Sequence, residues 1–282
     1  MGRIGIVGWE QETNLGLADA WREHGLPAEL LAPDEAAREL GPGDIAIGRL
    51  DVMRTLDGVE PGLSALRVVE EAGARVLNRP AALLDAHDKL FTARRLVAAG
   101  LPHPHTVFVS AGVTEMPLRP PLVLKPRFGS WGVDVLRCET EEALEAAWAT
   151  VRSRRWFQRR GVLVQELIPP CGFDLRLIVA GGRVVGAVER VAAPGEWRTN
   201  VSLGGGRRPV DPPQEAVRLG LSAVGAIGAD LVGVDLLPVE GGFVVLELNG
   251  AVEFDHHYDF GQRDVYLDAA AALDFLPAEV AA

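Results

Sequence analysis

The chain has 282 residues, a length that suits two domains or one large α/β unit. With 48% hydrophobic and 24% charged residues it can build a buried core, which excludes wholesale disorder. A net charge of -11 excludes a general nucleic-acid binder, and the lack of any 18-residue uncharged apolar stretch excludes a membrane-spanning helix.

The opening Gly2–Gly8 segment has no apolar run long enough for a signal peptide. Cys138 and Cys171 form no CxxC pair, so two reduced thiols and a cytoplasmic protein are expected. Ile4–Val7 reads as a buried parallel strand ending at Gly8, and Leu15–Glu23 as an amphipathic helix stopped by Gly25. Strands at Ala28–Leu31 and Asp44–Ile47, a helix at Leu63–Ala72 and a strand at Arg75–Leu77 complete a β-α-β-β-α-β order, which predicts a small parallel sheet. Gly5-x-x-Gly8 is only a fragment of a dinucleotide fingerprint.

A helix from Asp88 to Ala99 is closed by Gly100 and followed by Pro102 and Pro104. Strands are predicted at Thr106–Val109, Leu122–Lys125 and Val133–Arg137, then a helix at Glu141–Val151 running into an arginine-rich segment, 152–160. Long strands at Val162–Ile168, Leu175–Ala180 and Arg183–Arg190, a helix over 213–227 and a hairpin over 233–249 follow. The expected domains are 1–84, 85–164 and 165–282.

The hairpin carries the most chemistry. A turn centred on Gly241 places Asp235 opposite Glu247, with Asn249 diagonal on the same face; a two-residue turn would spoil this register. Carboxylates among Val and Leu need a cation, and two carboxylates plus an amide oxygen suit Mg2+; a strand with one solvated edge and pairing to arginine are the alternatives. Only two of the 28 cationic residues are lysines, Lys89 and Lys125, and both stand where a compact ammonium could meet phosphate. Gly129-Ser130-Trp131-Gly132 can curl around an anion, and Arg198-Thr-Asn200 with Gly204 and Gly205 suits a loop closing over phosphates. His256 and His257 among acids have irregular spacing for zinc.

Taken together, these segments resemble the ATP-grasp superfamily of carboxylate–amine ligases over essentially the whole chain. The resemblance rests on Asp88-Lys89-Leu90, on Leu122-Val-Leu-Lys125-Pro with Gly-Ser-Trp-Gly, on Val164-Gln165-Glu166-Leu167-Ile168 with Asp174-Leu-Arg176, and on Arg198-Thr-Asn200, Asp235 and Glu247-Leu-Asn249. It is similar to the branch holding RimK and the lysine-biosynthesis ligase LysX; Asn249-Gly-Ala-Val-Glu253-Phe leans toward LysX, while Val133-Asp134 departs from it.

The resemblance implies an α/β, ATP-grasp α+β architecture: an N-terminal Rossmann-like sheet, a central lid, and a C-terminal antiparallel sheet, with ATP between the last two. It implies that Lys89 and Lys125 hold the ATP phosphates, that backbone groups at Glu166–Ile168 read adenine and that Asp174 touches the ribose, with Gly129, Ser130, Gly132, Gln165, Arg198 and Asn200 also binding ATP. Asp235, Glu247 and Asn249 would hold two Mg2+ ions, with Mn2+ as another occupant, and Arg176, Arg190 and Arg198 would act on the transferring phosphoryl. Arg49, Gly204, Gly205 and Glu253, with loops 8–16 and 250–260, are expected to face substrate.

The reaction implied is an acyl phosphate attacked by an amine to give an amide, with a glutamate- or aminoadipate-like acid. Small-molecule amino acid substrates, a small acidic carrier protein and further copies of the chain in a homodimer or homotetramer are the expected partners. The rival expectations are a ligase for a small peptide or modified amino acid, and a non-catalytic ATP-binding regulator.

Overall fold

The computed structural model describes residues 2–113, 115–259 and 264–276. The first unit runs β1 (Ile4–Val7), α1 (Glu12–Glu23), β2 (Ala28–Leu31), α2 (Pro33–Glu39), β3 (Ile45–Gly48), α3 (Leu63–Glu71) and β4 (Arg75–Leu77). Its sheet is parallel, in the order β2-β1-β3-β4. β1 and β3 are buried throughout because helices cover both faces. The sequence order lacked α2. Its signal was present, in Pro33 at the first helical position followed by Asp34 and Glu35 in the first turn. α1 also starts three residues earlier than expected, at Glu12.

Two further helices follow, α4 (Pro80–His87) and α5 (Lys89–Ala98), the first of them not expected. They are divided at Asp88, whose side chain caps α5 by accepting from the N–H groups of Leu90 and Phe91. Next come β5 (Thr106–Val109), β6 (Leu122–Pro126), β7 (Leu136–Cys138), α6 (Glu141–Arg152), α7 (Arg155–Arg160) and β8 (Val162–Glu166). These strands make an antiparallel sheet in the order β5-β8-β6-β7. Leu122, Leu124, Val162 and Val164 pack there against Leu144, Trp156 and Phe157.

The strand expected at Val133–Arg137 begins only at Leu136, because Asp134 turns the chain at φ 54° and accepts a hydrogen bond from Trp156 Nε1 at 2.7 Å. β8 lies wholly in this sheet, which therefore extends past residue 164. The arginine-rich segment contains α7, which buries Trp156 and Phe157 and turns Arg159 and Arg160 onto Asp57.

The third unit is β9 (Phe173–Ala180), β10 (Arg183–Val191), β11 (Gly206–Pro209), α8 (Gln214–Ile227), β12 (Leu231–Val239), β13 (Gly242–Asn249) and α9 (Val265–Ala272). Its five strands are antiparallel, in the order β11-β10-β9-β12-β13. The two-residue alternation separates the faces: Leu175, Leu177, Val234, Leu236 and Leu248 pack with Leu96 of α5 and with α8. Each such side chain contributes about 1.5–3 kcal/mol of burial. The intervening residues, Asp174, Arg176 and Asp235, are left for the opposite face.

Asn78 joins the first unit to the third. At φ 52° its amide donates to Leu231 O at 2.6 Å and accepts from the N–H groups of Asp230 and Leu231. Among the described residues, no helix is long and apolar enough to cross a membrane.

Candidate active site

The polar face of the five-stranded sheet is built by register. Arg190 on β10 pairs with Asp174 on β9, and Arg176 on β9 pairs with Asp235 on β12, which in turn pairs with Glu247 on β13. Each neighbour is thus a cross-strand partner of opposite charge or a second carboxylate.

The expected turn is not the one found. Val239 pairs with Gly242, leaving a two-residue turn at Glu240 and Gly241, and a bulge between Asp235 and Leu236 then restores Asp235 opposite Glu247. The extra residue, Leu246, absorbs the one-residue offset that the short turn introduces.

These charges are tightly bonded. Arg176 grips Asp235 with two bonds, Nε to Oδ1 at 2.7 Å and Nη2 to Oδ2 at 2.8 Å. Arg190 Nη2 reaches Asp235 Oδ2 at 2.7 Å and holds both oxygens of Asp174, with Nε to Oδ1 at 2.8 Å. Thr199 also donates to Asp174, at 2.7 Å. The two guanidinium groups keep the Asp235 carboxyl far below the usual carboxylate range against the opposing effect of burial. The pairing to arginine weighed for these acids is therefore realised at Asp235. Asp174, expected at the ribose, has both oxygens engaged within the protein.

Two lysines enter from other elements. Lys89, the first residue of α5, places Nζ 2.9 Å from Glu247 Oε2. Its position is set by Asp88, which caps the helix and is held by Arg127 at 2.7 and 2.5 Å. Lys125 projects from β6 and is 5% exposed; burial lowers its pKa to about 8. Glu247 nevertheless stays ionised, its pKa lowered by Lys89 and Lys125 against burial.

These side chains line a cleft between the two antiparallel sheets. Gly129, Ser130, Gly132, Gln165–Ile168, Asp174, Arg190, Arg198, Asn200, Asp235 and Glu247 share its wall with both lysines. The N–H groups of Glu166 and Leu167 donate to His105 O and Pro121 O, and the Gln165 amide donates to Thr106 at 2.7 Å, which fixes this segment along the cleft wall.

Over the cleft two loops are joined. Arg198 Nη1 donates to Gly132 O at 2.8 Å and Ser202 Oγ to Trp131 O at 3.2 Å, while Glu196 holds the rest of the Arg198 guanidinium. Gly132 sits at φ 71°, where a Cβ would stand 2.8 Å from Asn200 Oδ1.

A second cavity lies beside the first. Ser130, Trp131, Arg190, Asn200 and Glu247 line both. Its other walls include Arg176, Asn249, Glu253, Arg207 and Tyr258, together with Gln11, Thr13 and Asp51 from the first unit.

Of the residues expected to face substrate, Glu253 is on this wall, paired to Arg207 at 3.2 Å. Arg49 is instead 1% exposed beneath it, donating to Asn14 Oδ1 at 3.2 Å, with its pKa lowered to about 10 by burial. Gly205 packs against the carbonyls of Val191, Thr199 and Asn200, and Gly204 ends a short turn at φ 88°. Residue 260, at the end of the expected 250–260 segment, lies outside the described residues.

Asp51, Arg207 and Tyr258 were not singled out in the sequence. For Asp51 a signal existed: it follows the C-terminal end of a parallel strand, where ligands of α/β sheets gather.

For Mg2+ the donor set fits in part. Glu247 has a second oxygen beyond its bond to Lys89, and Asn249 Oδ1 keeps a lone pair beyond its bond to Ala251 N–H. One or two such ligands with phosphate and water suffice for this ion. Asp235 can join them only by sharing oxygens that its two arginines already hold.

Two antiparallel sheets closing on a cleft with one lysine from each side, over a carboxylate pair on a hairpin, define an ATP-grasp protein. The chain belongs to the RimK-like ATP-grasp family, whose domain matches residues 86–272. It is 32% identical over 268 residues to a protein of Parasynechococcus marenigrum named probable alpha-L-glutamate ligase, covering 88% of this chain and 57% of that one. It is 32% identical over 222 residues to the tetrahydromethanopterin:alpha-L-glutamate ligase of Methanosarcina acetivorans, covering 72% and 68%. Among solved structures, the RimK-domain ATP-grasp protein of Sphaerobacter thermophilus shares the fold at a TM-score of 0.66 and 22% identity, covering 98% of this chain and 99% of that one.

Proposed function

We propose that this chain is an ATP- and Mg2+-dependent ligase that activates a carboxylate as an acyl phosphate and joins it to the amine of an amino acid, releasing ADP and phosphate. The observation that carries the reading is the junction of the two cavities. Arg190 and Glu247 line both, so a phosphoryl donor in the first meets an acceptor in the second without crossing bulk solvent. The names of the relatives support L-glutamate as the amino acid added, in preference to a place in lysine biosynthesis.

Lys89 and Lys125 would neutralise the triphosphate as it enters. Arg190 and Arg176, held rigid by Asp174 and Asp235, present guanidinium edges where charge moves from phosphate to carboxylate, and need no reorganisation to do so. Glu247 and Asn249, with Asp235 beside them, would hold Mg2+, whose charge offsets that of the phosphates. The Arg198–Gly132 and Ser202–Trp131 contacts hold two loops over the cleft and exclude the water that would hydrolyse an acyl phosphate.

The test is ADP release from Mg-ATP against a panel of acidic acceptors and amino acids, beside Glu247→Ala. Turnover that requires both an acid and an amine and disappears in the variant is expected. Failure of the wild-type chain to bind Mg-ATP refutes the reading.

A further inference from the structure

We propose that Asp51 is the seat for the ammonium group of the amino acid whose amine is joined; this rests on the ligase reading above. Three carboxylates line the second cavity. Glu247 is paired to Lys89 at 2.9 Å and Glu253 to Arg207 at 3.2 Å. Asp51 has no such partner among the described residues: its one basic neighbour within ion-pair range is His87, at 4.0 Å. That imidazole is neutral, because burial drives its pKa to about 3. Asp51 is 7% exposed, and its Oδ1 accepts only the N–H of Val52, at 2.6 Å, which leaves Oδ2 for a ligand. Burial raises the pKa of Asp51, and Arg49, Lys89 and Arg176 oppose that only from beyond ion-pair range, so the carboxylate has no cation in contact and the cavity is where one can be supplied.

The geometry favours a primary ammonium. One free carboxylate oxygen is too few for a divalent ion, which gathers about six oxygens, whereas an ammonium is compact and carries three donors. The carboxylate is also held in place from behind. Asp51 N–H donates to Glu60 Oε2 at 2.9 Å, Glu60 N–H donates to Asp51 O at 2.8 Å, and Gln11 Nε2 donates to Glu60 Oε1 at 2.8 Å. Glu60 is thus a positioning residue linking the loop after β1 to the loop after β3. The cavity that Asp51 lines reaches Glu247 and Arg190 on the wall shared with the nucleotide cleft, so once the seated ammonium has passed a proton to the Asp51 carboxylate, the free amine has its acyl partner in the same enclosure.

The test titrates L-glutamate into the chain loaded with Mg2+ and a non-hydrolysable ATP analogue, in parallel with 2-hydroxyglutarate, in which a hydroxyl replaces the ammonium. The wild type is expected to prefer glutamate. Asp51→Asn is expected to lose at least tenfold in glutamate affinity, with 2-hydroxyglutarate and nucleotide affinities unchanged; the retained nucleotide affinity shows that the variant is folded. Glutamate affinity equal to wild type, or a loss shared equally by both ligands, overturns the proposal.

If the wild type binds neither ligand, the choice of glutamate fails rather than the seat. The seat is then scored in the same way on the amino acid that supports ADP release and its α-hydroxy counterpart. Should Asp51→Asn not fold, Glu60→Gln, which loosens the anchor of Asp51, must weaken the amino acid selectively or the proposal falls.

Discussion

Lys125→Met separates what the site needs from what the fold prefers. Lys125 is an ammonium enclosed between β6 and the β12–β13 hairpin, and burial pulls its pKa from 10.5 to about 8, outweighing the attraction of Glu247 and Asp235. At about 1.4 kcal/mol per pKa unit, keeping that group charged at pH 7 costs the folded chain about 3 kcal/mol. Methionine has similar length and no charge, and Glu247 retains Lys89. The variant should therefore be more stable than wild type in urea denaturation at pH 7, by up to about 3 kcal/mol, while its affinity for ATP falls at least tenfold. The pH dependence adds a second constraint. Between about 8 and 10.5 the unfolded chain keeps a proton that the folded chain has released, so wild-type stability rises with pH across that window and the advantage of methionine shrinks. A methionine variant less stable than wild type, or a difference that is constant from pH 7 to 10.5, would refute the reasoning.

Three further outcomes are expected. Arg190→Gln strips Asp174 and Asp235 of a shared guanidinium and should destabilise the chain by about 3–5 kcal/mol in chemical denaturation. Gly132→Ala puts a side chain at φ 71° and 2.8 Å from Asn200 Oδ1; it should raise KM for ATP several-fold while costing only about 1–2 kcal/mol of stability. Asp88→Asn retains a helix cap but loses the charge partner of Arg127, and Asp88→Ala loses both, so the alanine variant should be the less stable of the two by about 1 kcal/mol in thermal melts.

Much of the scaffold could be read directly. Short apolar runs between glycines located β1 to β4 within a residue, and the alternation along 175–180 located β9, because burial on one or both faces writes itself into periodicity. α4 escaped notice because Pro80-Ala-Ala-Leu-Leu-Asp-Ala-His is apolar nearly all round and shows no stripe. The lysines stood out by scarcity, and the acids by sitting among valines.

What local sequence could not show was who pairs with whom. Asp174 and Asp235 are matched to Arg190 and Arg176 by register across three strands. Arg49 carried the more conspicuous charge beside the cavity, yet it points under the wall while Asp51 lines it. That choice depends on where the chain after β3 is pulled by Glu60, nine residues further on.

The bulge at Leu246 also determines where this hairpin tolerates changes in length. The two-residue tip lies beyond the bulge, so residues inserted between Glu240 and Gly241 would lengthen a solvent loop and leave Asp235 and Glu247 side by side. Adding one residue between Gly242 and Leu246, on top of the bulge, would instead bring Leu246 opposite Asp235 and rotate Glu247 to the face packed on α5 and α8. Natural insertions and engineered tags therefore belong at the tip, and a single-residue insertion a few positions away should abolish the site in a chain that still contains every one of its functional side chains.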